Sequence, residues 1–278
     1  MTDRREIIEN IIRCPICSEA LFVTDDGKSA LCRGARRHCF DFSKDGYLSL
    51  SSQGGGGDSK EAVTARRRFL EKNYYLDKAN AICQTVKKYL PQSSVIIDAG
   101  CGEGYYTSRL AECADRVIGF DLSKFACAAA AKYAKKEGIG NLLYATASVF
   151  ELPVTDNRSD AIVNIFAPCA EDEYMRALKD GGYLFVVGAG KEHLMGLKEL
   201  LYDNVYENGE RRDLPTRMEH VEKVICTNEI TVRGQEDVEA LFSMTPYYWR
   251  TSVGDKAKLE GVEALTTTVE FEINVYKK

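Results

Sequence analysis

The strongest constraint on the fold is a glycine-rich loop that follows a short apolar run. The run is Val95–Asp98, and the loop Gly100–Gly104 reads Gly-Cys-Gly-Glu-Gly. A short, continuously apolar segment that ends in glycines is typical of a parallel strand buried on both faces. Glycines suit the loop because the turn is tight and a ligand must lie against bare backbone. The pattern predicts a strand, a ligand-binding turn and a helix in succession.

Strands and helices alternate through the rest of residues 91–278. Further strands are predicted at 116–120, 142–146, 161–166 and 183–187, and helices at 105–113 and 123–137. This alternation favours a doubly wound α/β sheet that is covered on both faces. Near the C-terminus, Val269–Val275 alternates apolar with polar residues, which indicates a half-exposed, antiparallel strand at or near the sheet edge.

Two acidic residues stand beside the glycine loop. Asp98 ends the first strand, and Asp121 ends the second, about 20 residues after the loop. A carboxylate in the second position accepts the ribose hydroxyls of NAD or of S-adenosylmethionine alike. Asp98 favours S-adenosylmethionine over NAD, because a carboxylate attracts the ammonium and the sulfonium of the first but repels the pyrophosphate of the second.

The Gly-x-Gly-x-Gly spacing resembles the class I (Rossmann-like) S-adenosylmethionine-dependent methyltransferase motif, whereas the usual dinucleotide motif is Gly-x-Gly-x-x-Gly. A dehydrogenase and a purely structural turn are the alternatives. The cofactor-binding residues predicted on this basis are Asp98, Gly100, Cys101, Gly102, Glu103, Gly104, Tyr105, Asp121, Leu122, Ala147 and Ser148.

Four cysteines lie close together in the first forty residues. Cys14 and Cys17 form a Cys-x-x-Cys turn, and Cys32 and the pair His38-Cys39 follow. Two ligands from each of two turns satisfy tetrahedral Zn²⁺, and a module of this size lacks the core to fold without such a cross-link. With four ligands the site is structural and leaves no open position for catalysis. The fourth ligand is His38 or Cys39, and free thiols are the alternative to a metal site.

The chain divides into four predicted segments. A zinc-binding, RNA-recognition module covers residues 1–50, a glycine-rich linker 51–59, a helical connector 60–90 and the methyltransferase domain 91–278. The connector contains a predicted break at Asn73–Tyr75. The other six cysteines are scattered singly, and no run of 18 apolar residues and no signal region occur. We therefore expect a cytoplasmic protein that does not enter a membrane.

Charge is distributed unevenly around a formal net charge of −5. Residues 1–90 hold 16 Lys and Arg against 12 Asp and Glu, a balance of +4, which leaves −9 for the remainder. Because phosphate binding follows the local potential, an RNA contact is expected in the basic first part of the chain. The candidate residues are Arg33, Arg36, Arg37, Arg66 and Arg67. The alternative is that these arginines are solvated surface charges.

Several short motifs together resemble the bacterial 23S ribosomal RNA (guanine-N1)-methyltransferases that carry an N-terminal zinc-binding module. The motifs span nearly the whole chain in the order of that family. They include Cys14-Pro15-x-Cys17, His38-x-Phe40-Asp41, Ala65-Arg66-Arg67, Asp98-x-Gly100-Cys101-Gly102-Glu103-Gly104, Ala167-Pro168-Cys169 and Met244-Thr245-Pro246. The glycine motif alone is generic, whereas the combination is specific.

The resemblance implies a ligand set, a substrate and an assembly. Three cysteines and a histidine hold zinc in that family, and they correspond to Cys14, Cys17, Cys32 and His38; the longer gap before His38 keeps Cys39 as the alternative. The RNA hairpin loop is expected in a cleft between the two modules, often in a homodimer. The implied reaction is methyl transfer from S-adenosylmethionine to N1 of a guanine in 23S RNA.

Methylation at N1 requires an unpaired or flipped guanine, because N1 lies on the Watson–Crick edge. The sulfonium is already activated, so alignment supplies much of the acceleration. Tyr106, Ala167 and Pro168 are candidates for positioning, and no general base is identified. Two rival functions are a small-molecule methyltransferase with a structural zinc module and a noncatalytic RNA-binding protein that retains a donor pocket.

Overall fold

The computed structural model describes residues 4–51, 56–209 and 211–278. The N-terminal elements are α1 (Arg4–Ile11), β1 (Leu21–Val23), β2 (Ser29–Cys32), β3 (Cys39–Asp41) and β4 (Leu48–Ser49). Next come α2 (Lys60–Glu71), α3 (Leu76–Tyr89), β5 (Val95–Ala99), α4 (Tyr105–Leu110), β6 (Arg116–Asp121), α5 (Lys124–Lys136), β7 (Leu142–Thr146) and β8 (Ser159–Ile165). The C-terminal elements are α6 (Glu171–Ala177), β9 (Leu178–Ala189), α7 (Met195–Leu201), β10 (Glu219–Arg233), α8 (Gln235–Ser243), a 3₁₀ helix (Pro246–Trp249), α9 (Val253–Ala257) and β11 (Ala264–Lys277).

An eight-stranded sheet of order β10-β11-β9-β8-β5-β6-β7-β4 forms the centre of the molecule. Strands β4 to β9 within it are parallel, and β11 runs antiparallel to both β9 and β10. Along β5, Ile96 faces one hydrophobic cluster while Ile97 and Ala99 face another. Both faces of the sheet are therefore covered, which confirms the predicted doubly wound α/β fold.

The antiparallel edge of the sheet is larger than the sequence predicts. The alternating segment Val269–Val275 belongs to the longer β11, which is antiparallel and second from the edge, as predicted. Its outer neighbour β10 was not predicted, although fifteen residues form it. The side chains of β10 are mostly exposed or half-buried, so apolar periodicity is weak there. The helix predicted at 105–113 is also shorter and ends at Leu110.

The helical connector contains the predicted break. Helix α2 begins after Ser59, whose side chain accepts a hydrogen bond from the Ala62 N–H, and Asn73 adopts a left-handed backbone (φ +64°) between α2 and α3. Helix α3 ends before Pro91. No helix in the described ranges is long and apolar enough to cross a membrane.

The N-terminal region is packed onto the sheet. Strands β1, β2 and β3 form a small antiparallel sheet, and Ile7 and Ile8 of α1 share a hydrophobic cluster with Ile97 and Ile118. Strand β4 adds to the large sheet beside β7. Residues 52–55 of the predicted linker lie outside the described residues. The division into four segments therefore stays a prediction, and the described contacts join the first segment to the last.

Candidate cofactor cleft and metal cluster

Asp98 lies at the carboxyl end of β5 with one unsatisfied oxygen. Its side chain is 1% exposed, and its Oδ2 accepts a hydrogen bond from Thr107 Oγ1 at 2.6 Å. Its Oδ1 has no hydrogen-bond partner within the described residues. Burial raises the pKa of Asp98 to about 7. A buried, unpartnered carboxylate oxygen fits a ligand that brings a positive charge or a donor.

The three loop glycines have different reasons for lacking a side chain. A Cβ on Gly100 would stand 2.5 Å from the Ala167 Cβ, and one on Gly104 would stand 2.7 Å from the Tyr144 hydroxyl. All three glycines adopt left-handed backbone, and at Gly100 and Gly104 close contacts within the protein also exclude a side chain. Around Gly102, by contrast, only Arg66 Nη1 lies within 4 Å of the Cβ position, at 3.5 Å. The open space for a ligand is thus at Gly102.

Asp121 lies across from the loop, at the carboxyl end of β6. Its Oδ2 accepts a hydrogen bond from the Gly102 N–H at 3.0 Å, and its Oδ1 accepts one from the Ser123 N–H at 2.7 Å. These bonds orient the carboxylate and leave each oxygen a further lone pair. Burial raises the pKa of Asp121. The geometry allows this group to accept two neighbouring hydroxyls, as the ribose role requires.

The remaining predicted cofactor residues lie around the same edge of the sheet. The Cys101 N–H donates to the Phe120 carbonyl at 2.9 Å, and the Ala147 N–H donates to the Asp121 carbonyl at 3.1 Å. Leu122 is half-exposed, and Ser148 Oγ accepts a hydrogen bond from the Phe150 N–H at 3.2 Å.

Glu103 and Tyr105 are buried where α4 begins, and both have a side-chain oxygen that accepts no hydrogen bond from the described residues. The Glu103 Oε2 lies 3.7 Å from Arg66 Nε. The structure therefore brings the whole predicted cofactor set together, while the binding role of each residue stays a prediction.

The segment after β8 forms the other side of this edge. Phe166 is a bulky residue in left-handed backbone (φ +53°) and is 49% exposed. Such a backbone is costly for a bulky side chain and often marks a functional position. The Pro168 carbonyl accepts a hydrogen bond from Asn164 Nδ2 at 2.9 Å, and the Ala167 carbonyl accepts one from Arg211 Nη2 at 2.6 Å. The backbone carbonyls of these two positioning candidates thus hold contacts within the protein.

Arg211 and Asp213 anchor this segment, and sequence reasoning missed both. Arg211 Nε donates to Asp213 Oδ1 at 2.6 Å, and Asp213 Oδ2 accepts from the Cys169 N–H at 3.0 Å. The Arg211 guanidinium lowers the pKa of Asp213 to about 2. No motif or periodicity separates Arg211 from the neighbouring Arg212. Burial raises the pKa of the Cys169 thiol to about 11, which argues against a nucleophilic cysteine.

Aromatic rings support Phe166 from beneath. Its ring centroid lies 4.8 Å from that of Phe271 and 6.0 Å from that of His193. His193 Nδ1 accepts a hydrogen bond from the Glu270 N–H, and burial lowers the pKa of this histidine to about 3, so its ring is neutral. Tyr106, the third positioning candidate, lies in α4, and burial raises its pKa, so its hydroxyl stays protonated.

Four side chains of the N-terminal region converge on one point. The donor atoms of Cys14, Cys17, Cys32 and His38 all lie within 4.8 Å of one another. His38 Nδ1 is 3.4 Å from each of the three sulfurs. Cys39 points elsewhere, since its exposed thiol donates to Asp41 Oδ1 at 3.7 Å. The geometry favours His38 over Cys39 as a fourth donor.

The five candidate arginines fall into two groups. Arg36 and Arg37 are exposed between β2 and β3, and the guanidinium of the equally exposed Arg33 lies 5.2 Å from the centre of the Phe22 ring. Arg67 donates to Glu71 and to the Ala129 carbonyl and lies over the Tyr133 ring. Arg66 forms ion pairs with Asp58 and Glu103. The structure does not bring Arg66 and Arg67 to the exposed turn that carries the other three.

Comparison with known proteins agrees with the fold described above. A family model described as a methyltransferase domain matches residues 96–182, from β5 into β9. An Anaeromyxobacter dehalogenans structure provisionally named a type II methyltransferase aligns with a TM-score of 0.52 at 18% identity, covering 71% of this chain and 95% of that one. The fold is therefore that of the class I S-adenosylmethionine-dependent methyltransferases, and the matched domain model is a methyltransferase model.

Two relatives show which kind of methyltransferase this chain resembles. A Bacillus subtilis protein provisionally named 23S rRNA (guanine-N(1)-)-methyltransferase is 27% identical over 99% of this chain and 100% of its own length. The Streptomyces fradiae 23S rRNA (guanine(748)-N(1))-methyltransferase is 26% identical over 97% of this chain and 98% of its own. The resemblance to the 23S rRNA (guanine-N1)-methyltransferases, drawn from the motifs, is confirmed.

Proposed function

We propose that this protein transfers a methyl group from S-adenosylmethionine to N1 of a guanine in a hairpin loop of 23S ribosomal RNA. The main support is that the N-terminal module ends beside the cofactor edge of the sheet. Strand β4 pairs with β7, and the Leu50 N–H donates to Thr146 Oγ1 at 3.2 Å. The relatives named for this reaction match both the module and the catalytic domain.

The proposed cofactor site uses the loop from Asp98 to Gly104 together with Asp121. When bound, S-adenosylmethionine supplies an electrophilic methyl group on a sulfonium. Asp121 would accept the ribose hydroxyls, Gly102 would leave room beside the backbone, and the free oxygen of Asp98 would face the cationic part. These groups are already held by hydrogen bonds, so little reorganisation is needed on binding.

The proposed acceptor site is the surface of Phe166. An exposed aromatic ring at the carboxyl end of β8 is placed to stack on an unpaired base, which keeps the Watson–Crick edge free for reaction. Arg211 and Asp213 would hold the loop so that the base meets the methyl group in line. Ala167 and Pro168 then act through the backbone shape of this loop.

We propose that Cys14, Cys17, Cys32 and His38 hold a structural zinc ion. The four donors suit zinc in kind and number, and zinc would supply a cross-link between the two turns. Replacing Cys17 with serine should lower the zinc content from about one ion per chain towards zero. Cys39→Ser is the matched control, and a full loss of zinc in that variant would restore Cys39 as a ligand.

Arg33, Arg36 and Arg37 are the proposed phosphate contacts, because their turn is exposed and adjoins the four-donor cluster. Replacing all three with alanine should weaken RNA binding and flatten its salt dependence. The family resemblance also implies a homodimer. Light scattering of the purified protein tests that assembly, and a monomeric mass with full activity would exclude it.

Primer extension tests the reaction and its site together. Reverse transcriptase stops at guanine methylated on N1, because the methyl group blocks pairing. Unmodified 23S RNA incubated with the protein and S-adenosylmethionine should give one new stop, and Asp121→Ala should remove it. No stop with the parent protein, under conditions where S-adenosylmethionine binds, would favour the small-molecule methyltransferase.

A further inference from the structure

Arg66 lies over the cofactor loop although α2 belongs to the helical connector. Its Nε is 3.7 Å from Glu103 Oε2, and another guanidinium nitrogen, Nη2, pairs with Asp58. The remaining nitrogen, Nη1, lies 3.5 Å from the Cβ position of Gly102 and has no hydrogen bond within the described part of the chain. Two carboxylates therefore fix the guanidinium plane and leave one set of N–H donors facing the open space at Gly102.

The charges around the cleft indicate what the Nη1 group of Arg66 can bind. Asp98, Glu103 and Asp121 are three acidic groups around the loop, and within residues 4–51, 56–209 and 211–278 Arg66 alone forms an ion pair with a residue of that loop. S-adenosylmethionine carries two positive groups and one negative group, the carboxylate of its methionine part. Acidic side chains suit the positive groups, whereas the carboxylate needs a cation in the same confined space.

We propose that Arg66 binds the carboxylate of the methionine part of S-adenosylmethionine through Nη1. Asp58 and Glu103 are positioning residues that orient its guanidinium. This assignment replaces the RNA phosphate contact predicted from the sequence at Arg66. It rests on the cofactor site proposed above and is independent of the RNA substrate.

The pairing with Asp58 also links the cofactor to the glycine-rich linker. The Asp58 carbonyl accepts a hydrogen bond from Ser123 Oγ at 2.7 Å, and a Cβ on Gly57 would stand 2.6 Å from the Ser123 nitrogen. The end of the linker therefore packs against the turn that carries Asp121. Asp58 thus pairs with Arg66 through its side chain and contacts the ribose side of the cleft through its backbone carbonyl.

A comparison of two ligands on each variant tests the proposal. Isothermal titration of the full-length protein would use S-adenosylmethionine and decarboxylated S-adenosylmethionine, which lacks only the carboxylate. The parent should prefer the complete cofactor by about tenfold or more, the range expected for a charge-assisted pair. Arg66→Gln should bind the complete cofactor correspondingly more weakly and the decarboxylated ligand no more weakly, so the preference falls to about one.

The ratio of two affinities on one variant is unaffected by any loss of stability that the substitution causes. Arg66→Lys should keep part of the preference, because it keeps the charge but not the planar geometry. Arg68 lies on the same helix as Arg66 and forms a surface ion pair with Glu236 of α8, so Arg68→Gln is the matched control and should leave the ratio unchanged. A ratio unchanged by Arg66→Gln overturns the proposal, and if RNA affinity falls at the same time, Arg66 contacts phosphate. Failure of the parent to bind either ligand would instead reject the cofactor site itself.

Discussion

The proposed donor side of the cleft, around Asp98 and Asp121, and the proposed acceptor side, around Phe166, are built in different ways. On the donor side, Asp98 and Asp121 are buried or half-buried carboxylates whose positions are set by hydrogen bonds to the backbone or to Thr107. On the acceptor side, the exposed surface is the ring of Phe166, and the polar contacts of Arg211 point inward to hold the loop. The donor side thus offers charge to a ligand, while the acceptor side offers shape and an aromatic surface.

This difference suits the two proposed substrates. S-adenosylmethionine is small and charged, so a few fixed carboxylates are enough to recognise it. A guanine in an RNA loop is recognised by stacking at the reacting base and by phosphate contacts elsewhere, so its site needs a rigid aromatic surface. Substitutions on the donor side should therefore change cofactor affinity, and those on the acceptor side should change turnover of RNA.

Replacing Asp121 with alanine should have the largest effect. The variant loses two hydrogen bonds from hydroxyls to a charged acceptor, each worth about 1.5–3 kcal/mol, so affinity for S-adenosylmethionine should fall by more than about 100-fold. Calorimetric titration measures the change. Asp115→Ala is the matched control, because Asp115 precedes the other end of β6 and pairs with Arg116. A tenfold or smaller loss in the Asp121 variant would contradict the ribose role.

The convergence of the predicted cofactor residues could be predicted because they are close in the sequence and obey local rules. Asp98 and the glycine loop are continuous, and Asp121 follows one helix and one strand later. The sequence does not show why Gly100 and Gly104 must lack a side chain, because the residues that a Cβ would meet, Ala167 and Tyr144, lie far along the chain. The convergence of His38 with three cysteines followed a known ligand spacing, whereas the choice against Cys39 required the direction of a side chain.

Long-range packing explains what the sequence did not reveal. Arg211 reaches Ala167 across 44 positions of the chain, and it lies in a segment without periodicity. Strand β10 lies at the outer edge of the sheet, where half-exposed side chains obscure the alternation. The role of Arg66 depends on how α2 packs over the glycine loop, and a run of three arginines in sequence predicts only a basic surface.

Replacing Phe166 with alanine should have the next largest effect, and only on the RNA side. Base stacking on an aromatic ring contributes about 1–3 kcal/mol, so kcat/KM for the RNA fragment should fall by about 30-fold. Affinity for S-adenosylmethionine should stay within about twofold of the parent. Phe166→Tyr keeps the ring and should keep most of the activity. An equal loss of cofactor affinity in the alanine variant would show that the two sides of the cleft are not separate.

Replacing Arg211 with methionine tests whether the acceptor loop must be held in place. The variant keeps the length of the side chain but removes its bonds to Ala167 and Asp213, so kcat should fall by about tenfold through loss of alignment. Cofactor affinity should change little. Arg212→Met is the matched control, because Arg212 is the exposed neighbour. Equal loss of turnover in both variants would point to a general charge effect on RNA binding.

The smallest expected effect is a pH dependence on the donor side that arises from Asp98. Burial raises its pKa from 3.8 to about 7 in the folded protein, so between these values the folded chain holds a proton that the unfolded chain has released. Stability without a ligand should therefore fall as pH rises through this window and level off above about 7.

A positively charged cofactor favours the ionised form of Asp98, so the affinity for the cofactor should change in the opposite direction and rise with pH up to about 7. One pH unit can change the affinity by at most about tenfold per titrating group, and we expect about threefold to tenfold between pH 6 and pH 8.

Asp98→Asn should remove most of that pH dependence while keeping the shape of the side chain. Burial also raises the pKa of Asp121 and of Glu103, so titration of either is the competing explanation. Calorimetric titration of the parent and of Asp98→Asn at several pH values separates the two. An unchanged slope in the asparagine variant would transfer the effect to these neighbouring carboxylates and would place the cationic part of the cofactor away from Asp98. A flat profile in the parent would mean that the proton on Asp98 is not linked to cofactor binding, and the donor side would then depend on Asp121 and the backbone alone.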